Sequence, residues 1–281
     1  MKEITGKVFD EERALYGSHD LLIANCSFSG PADGESALKE CGNIQVKDCR
    51  FALRYPFWHV SGAEVTGCSM EETCRAALWY DRDVVLKGCS LQGIKALREC
   101  DHTLVEACEI SSQEFGWFCR DLTIRNSTLV SEYPFLQSRN LVIENLKMTG
   151  KYSFQYVENM VIRNSVLDTK DAFWHSRNVT VYDSVVKGEY LAWYSHNLRL
   201  VRCKIIGTQP LCYAQGLILE DCEMEGCDLS FENSEVTATV RGRIDSVKNP
   251  ISGHITSDSI GEIILDSNFR GDKKCEISIR E

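Results

Sequence analysis

The feature that most constrains this chain is a recurrence. A small residue (cysteine, serine or once leucine) stands at Cys26, Cys49, Cys68, Cys89, Cys108, Ser127, Leu146, Ser165, Ser184, Cys203 and Cys222. From Cys89 onward every step is 19 residues, and the earlier steps are 23, 19 and 21. Six residues upstream most copies carry a turn-former, among them Asp20, Asn43, Asp83, Asn140, Asn178 and Asn197, with His102 the exception. Two residues downstream runs an apolar column that includes Phe28, Phe51, Leu91, Leu129 and Ile205. The stretches between, such as "NLVIENL" and "NVTVYDS", alternate with period two over too few residues for a helix. Each marks a short, half-buried strand.

Units this small cannot fold alone and must stack. Helical repeats need a 3.6-residue period, hexapeptide coils a six-residue sub-period, and leucine-rich repeats an LxxLxL pattern. None is present. The spacing predicts an all-β, single-stranded right-handed parallel β-helix of ten or more coils, about 19 residues each. At ~4.8 Å per coil, eleven coils make a rod of roughly 50 Å. The expected organisation is a single domain over residues 1–281, with an N-terminal cap and first coil at 1–42, regular coils at 43–233 and irregular final coils at 234–281. A solenoid needs atypical end repeats because its last coil otherwise bares a core and a row of unpaired strand groups. "GPADGESALKE", with Asp33, Glu35 and Lys39, adds four residues to the first step and reads as a turn over the first coil. Cys275 falls outside the small column.

A net charge of −10 disfavours nucleic acid and anionic membrane as partners, since phosphate binding needs clustered Lys and Arg. No apolar run approaches the ~18 residues a transmembrane helix requires. Seven of the 14 cysteines lie in the small column, where they read as packing thiols. In an oxidising compartment, thiols one rung apart would lie within disulfide range and could pair in scrambled order. Free thiols in this number favour the reducing cytoplasm, and the N-terminal stretch has no signal-peptide pattern. With no CxxC and no zinc-type spacing, no metal or cofactor is expected.

All five tryptophans share one column, four residues before the turn-former: Trp58, Trp79, Trp117, Trp174 and Trp193, with Arg98 and Gln155 in other copies. The column before it is mostly apolar (Phe57, Phe135, Phe154, Phe173) and the column after it mixes His59, Tyr80, Glu99, Phe118, Tyr156, His175 and Tyr194. Alternation sets the Phe and His columns on one side and the Trp column on the other. Arg98 and Gln155 argue that the Trp column faces outward, because an unpaired buried guanidinium is costly. The Phe column then points in, and the His/Tyr/Glu column sits near a corner.

The stretches "FDEERALYGSHD", "GPADGESALKE", "RYPFWH" and "DTKDAFWHSRNVTV" resemble a bacterial family of unknown function with the pectin-lyase-like right-handed β-helix fold. The resemblance spans nearly the whole chain and implies the fold. It carries no established activity, so no catalytic residue follows from it.

Function must then be read from the residues. Trp58, His59, Trp79, Tyr80, Arg98, Glu99, Trp117, Gln155, Trp174, Trp193 and Tyr194 form a strip of rings and polar groups able to stack on and hydrogen-bond sugars. An oligosaccharide or polysaccharide is the expected ligand. Asp171, His175 and Glu189 are the catalytic candidates. Histidine titrates near 6.5, and two carboxylates about 5–9 Å apart serve glycoside hydrolysis. If the chain is an enzyme, a polysaccharide lyase or glycoside hydrolase is the expected kind. The alternative is a non-enzymatic structural or protein-interaction solenoid, including a homo-oligomer, burying at least ~1,000 Å² against its partner.

Overall fold

The computed structural model describes residues 1–30, 34–267 and 274–280. Among them every regular element is a β-strand and there is no helix. The chain divides into two compact units, Met1–Val142 and Ile143–Glu281, each a parallel β-solenoid.

In the first unit the six-residue strands Gly42–Lys47, Ser61–Thr66, Arg82–Lys87, Asp101–Glu106 and Arg120–Arg125 pair in parallel, coil on coil. The register is the repeat itself: Ile44 lies beside Ala63, Ala63 beside Val84, Val84 beside Thr103 and Thr103 beside Leu122. These five side chains are all buried, as are Phe51, Met70, Leu91 and Ile110 on the shorter strands that follow. Two-residue strands, Phe57–Trp58, Leu78–Trp79 and Leu97–Arg98, form a third face. The second unit repeats the plan with Glu158–Arg163, Arg177–Tyr182 and His196–Val201, and turns replace its third strands. Phenylalanines stack rung on rung inside, Phe28 on Phe51 at 4.9 Å and Phe154 on Phe173 at 4.9 Å. Each fully buried ring contributes about 1.5–3 kcal/mol.

Corners are made by left-handed residues. The turn-former column sits at the second position of each six-residue strand with φ near +55°, for example Asn43 at 49°, Asp83 at 55° and Asn178 at 54°. Asparagine and aspartate tolerate this region because their short side chains bond locally. They also ladder outside: Asn178 donates Nδ2 to Asn159 at 3.1 Å and accepts from Asn197 at 3.0 Å. The residue before the small column turns the same way, as at Asn126 (50°) and Asn164 (48°).

The small column has a sharper role than space-filling. Cys68 Sγ accepts the Cys49 N–H (3.3 Å) and donates to the Thr66 carbonyl (3.4 Å). Ser184 Oγ accepts the Ser165 N–H (3.0 Å) and donates to the Tyr182 carbonyl (2.6 Å). Each thiol or hydroxyl thus satisfies peptide groups that the corner takes out of the ladder. Cysteine and serine interchange because both donate and accept. A second buried column, Cys41, Asp81, Cys100, Cys119 and Ser138, bonds peptide groups in the same way, while Ser176 and Ser195 in the second unit bury their hydroxyls with no partner. It was not distinguished in the sequence. Burial pushes four thiols outside the first small column up, Cys41 and Cys74 to about 11 and Cys212 and Cys227 to about 12.

Past residue 234 the parallel pairing continues in two long strands, Glu235–Lys248 and Ser252–Ile264, and then Lys274–Ile279. The register slips between Leu219 and Cys222 and again between Val240 and Arg243, where the small column ends. Cys275 lies beside Gly253, away from both ladders. Asp33 of the inserted loop and residues 270–273 of the charged tail lie outside the described residues.

Candidate functional site

The Trp column and the column after it both reach the surface, and the backbone explains how. Phe57, Phe135, Phe154 and Phe173 are fully buried. The tryptophans of the next column, Trp58 and Trp174 directly after two of these rings, are half-buried. Alternation would return the following residue to the core. Instead that residue is left-handed, with φ of 56° at His59 and Tyr80, 55° at His175 and 59° at Tyr194. The corner re-aims it, so Tyr80, Tyr156 and Tyr194 are among the most exposed large side chains.

In the first unit Trp58 stacks on Trp79 (5.4 Å, 10°) and His59 on Tyr80 (5.1 Å, 8°). Tyr55 leans on both indoles, and Lys39 Nζ sits 4.1 Å from the Trp58 ring centre. Two coils on, the Arg98 guanidinium lies over Trp117 (5.5 Å) and Phe118 (5.3 Å) while ion-paired to Glu99 (3.1 Å). Glu99 also accepts from Tyr80, which raises the phenol pKa. The inserted loop's Glu35 pairs with Arg54.

The second unit holds the longer ladder. Tyr156, His175, Tyr194 and Tyr213 stack at 4.8, 5.1 and 5.0 Å, with planes within 12°. Beside them Trp174 stacks on Trp193 at 5.4 Å and 3°, and Tyr213 meets the Trp193 ring edge-on at 5.4 Å. Trp174 Nε1 donates to the Tyr190 carbonyl (2.7 Å) and Trp193 Nε1 to that of Gln209 (2.9 Å). Gln155 is half-buried, one coil before Trp174 in the same column. Rings stacked along the coils cover one another's faces and turn edges, hydroxyls and ring nitrogens to solvent. A sugar at mid-ladder therefore meets edges and polar groups, where the sequence had suggested a row of open faces.

The three acid–base candidates lie on two adjoining coils. Asp171 and Glu189 are rung neighbours, the Asp171 N–H bonding the Glu189 carbonyl at 3.0 Å. Asp171 is buried; desolvation, and then the Glu189 charge, raises its pKa against the opposing effect of Lys170. Lys170 Nζ holds the Glu189 carboxylate at 2.9 Å. His175 sits between Tyr156 and Tyr194, and burial with the nearby charges of His196 and Arg177 lowers its pKa. That makes it a neutral stacking ring at pH 7.

Among the described residues, Asp101, His102 and Asp121 bring together three groups of metal-ligating type. His102 turns Nδ1 to Asp101 (3.3 Å) and Nε2 toward Asp121 (3.7 Å), and Arg120 holds the other Asp101 oxygen at 2.9 Å. The two carboxylates thus flank the imidazole, one at each ring nitrogen.

Several solved structures are similar to this chain. A double mutant of the tailspike protein of E. coli bacteriophage HK620 is 10% identical with a TM-score of 0.40, matching 96% of this chain and 65% of its own, so this chain spans less than two thirds of it. The A-module of a mannuronan C-5 epimerase from Azotobacter vinelandii is 10% identical, TM-score 0.30, over 94% of this chain and 91% of its own. PfbA, a surface adhesin of Streptococcus pneumoniae, is 8% identical, TM-score 0.30, over 94% and 75%. The likeness in each case is one of fold. No curated protein matches the chain. A family model does, over residues 2–278, and its description is "Protein of unknown function (DUF3737)".

Proposed function

We propose that this chain, which belongs to the DUF3737 family, binds carbohydrate without altering it, along the exposed ladder of its second unit. The observation that carries the reading is the ridge Tyr156, His175, Tyr194 and Tyr213, stacked at 4.8–5.1 Å. It repeats a hydrogen-bonding edge once per rung, a spacing close to one sugar unit of an extended glycan. The rings brace one another, so little side-chain freedom is lost on binding. The unpaired cysteines suit a reducing compartment, the cytoplasm.

The test is a glycan array with tryptophan-fluorescence titration, Trp174 and Trp193 serving as reporters beside the ridge. Tyr156→Phe/Tyr194→Phe keeps the stack and removes two hydroxyls. Binding by the native chain that falls at least tenfold in this variant, with unchanged melting, supports the reading. Equal binding by both, or none across the array, overturns it. In the second case a protein-interaction solenoid becomes the better account, because exposed tyrosine edges are also what protein interfaces favour.

A further inference from the structure

We propose that a second surface, a polar groove crossing the coils of the first unit between residues 69 and 132, binds a neutral oligosaccharide chain. The groove lies on a different face from the aromatic columns, on the stretch that follows the small residue of each coil. Two clefts compose it, of about 420 and 440 Å³, and they share Glu72 and Gln92. Together they run over successive rungs, since Ser69 pairs beside Ser90, Ser90 beside Glu109, and Ser111 beside Val130. Three strand steps give a length of roughly 14 Å.

The groove owes its wall to a departure from the repeat. The step from Cys68 to Cys89 is 21 residues, two more than the regular coil. The excess forms a turn at Glu71–Cys74, closed by the Cys74 N–H on the Glu71 carbonyl (2.8 Å). The next coil packs against that turn at Gly93, where a Cβ would come within 2.1 Å of the Cys74 carbonyl oxygen. Only glycine lets the two backbones approach so closely.

The lining selects the ligand. Ser69, Ser90, Ser111, Gln92 and Gln113 place hydroxyls and amides along the groove, and Glu72 and Glu132 add acceptors. Val130, 58% exposed, and Ile94 supply apolar surface of the kind a pyranose C–H face covers. No lysine or arginine lines either cleft. The guanidinium of Arg50 is held by Glu71 at 2.5 and 2.7 Å. Phosphate, sulfate and uronate chains need a cation that the groove lacks. A neutral polyhydroxylated chain needs what it offers, closely spaced donors and acceptors with small apolar patches.

The inference shares the carbohydrate class of the ridge reading but concerns another site, so the two fail separately. The experiment is calorimetric titration of the full chain with neutral hexasaccharides (gluco-oligosaccharides of different linkage and an N-acetylated chitohexaose). An oligogalacturonate and a deacetylated chitosan hexamer are the charged comparators. Hydrogen–deuterium exchange on the same samples locates the contact. Expected is binding of at least one neutral member with protection at 69–73, 90–94 and 111–113, weakened about tenfold by Gln92→Ala or Gln113→Ala at unchanged melting. Ser111→Trp, which fills the groove with a bulky ring, guards against loss of fold in the others and should also abolish binding. Binding of a charged comparator alone, no binding of any neutral member, or protection confined to 156–213 with Gln92→Ala silent would each overturn the proposal. Protection confined to 156–213 would leave the ridge reading standing. Groove protection that survives Tyr156→Phe/Tyr194→Phe would support the groove as a site independent of the ridge.

Discussion

Each unit stacks a pair of tryptophans at 5.4 Å, yet the two pairs differ in what their N–H groups meet. Trp174 and Trp193 each donate to a carbonyl 16 residues on, Tyr190 and Gln209. Trp58 and Trp79 bury their Nε1 atoms with no hydrogen-bond partner. Coil length separates Trp58 from the second pair. In a 19-residue coil the corner of the next turn sets a carbonyl under the indole. The coil after Trp58 is 21 residues long, and the residue 16 on, Cys74, lies in the lengthened turn. Trp79, stacked on Trp58 at 10°, shares its orientation. Trp117, in the first unit but in a 19-residue coil, does donate to the carbonyl 16 on, that of Tyr133. The lengthened coil therefore accounts for Trp58, and the stack on Trp58 for Trp79, whose own following coil has 19 residues. Lengthening one coil bought the groove wall beside Glu72 and left donors without acceptors.

The comparison is broken most directly by removing an indole from each pair. Trp193→Ala takes away a stack, two edge contacts and a hydrogen bond, and should destabilise by about 3 kcal/mol in urea unfolding. Trp79→Ala removes a stack, the Tyr55 and Tyr80 contacts and an unsatisfied donor in place of a hydrogen bond, and should lose about 1 kcal/mol less. Equal losses would mean that the missing acceptor has no energetic weight.

Asp81 sharpens the same contrast. It is 1% exposed in the second small ladder, where its Oδ1 accepts the Val60 N–H at 2.8 Å and its Oδ2 has no partner. Desolvation raises its pKa well above the ordinary 3.8. Below 3.8 the carboxyl is protonated folded and unfolded, so nothing is lost there. As pH rises past that value the unfolded chain ionises first, and stability falls until the folded carboxyl titrates. Asp81→Ser restores the residue type of Ser138, Ser176 and Ser195. It should gain about 1–3 kcal/mol at pH 7 and much less at pH 4, read from urea midpoints at both values. A gain independent of pH would contradict the buried-acid account.

Smaller effects test the corners that both units share. Asn178→Ala must hold φ at 54° without the Asn159 and Asn197 bonds, and should lose about 1–2 kcal/mol, with Asn178→Gly losing less. The smallest effect belongs to Cys203→Ser. Cys203 Sγ donates to the Val181 and Val201 carbonyls at 3.4 Å, a task serine performs at Ser184, so the shift should stay below about 1 kcal/mol. Cys203→Ala, which donates nothing, should cost more. If alanine and serine behave alike, the column is packing alone.

Much of the fold was legible because a parallel solenoid writes its register into one dimension. A 19-residue step, a small residue and period-two strands suffice to place Leu200 beside Val181 and Ile110 beside Leu91. Less of the site was legible. Alternation correctly set Phe173 against Trp174 but could not tell where the alternation stops. The left-handed backbone at His175 and Tyr194 stops it and turns a nominally inward column outward. Neither the mutual covering of the rings nor the stacking of His175 between Tyr156 and Tyr194 leaves a mark in residue spacing. Both depend on rotamers chosen against the neighbouring coil.

By itself the sequence determined the repeat, the strand order, the inward columns and the positions of the corners, because each follows from local periodicity and residue type. Only the tertiary structure decided which groups each coil presents to the next: the thiol that takes a neighbour's N–H, the indole that finds a carbonyl or misses it, and the groove beside the lengthened turn. Those are contacts between residues about one coil apart. They are set by a few tenths of an ångström and a few tens of degrees, which a one-dimensional period does not encode.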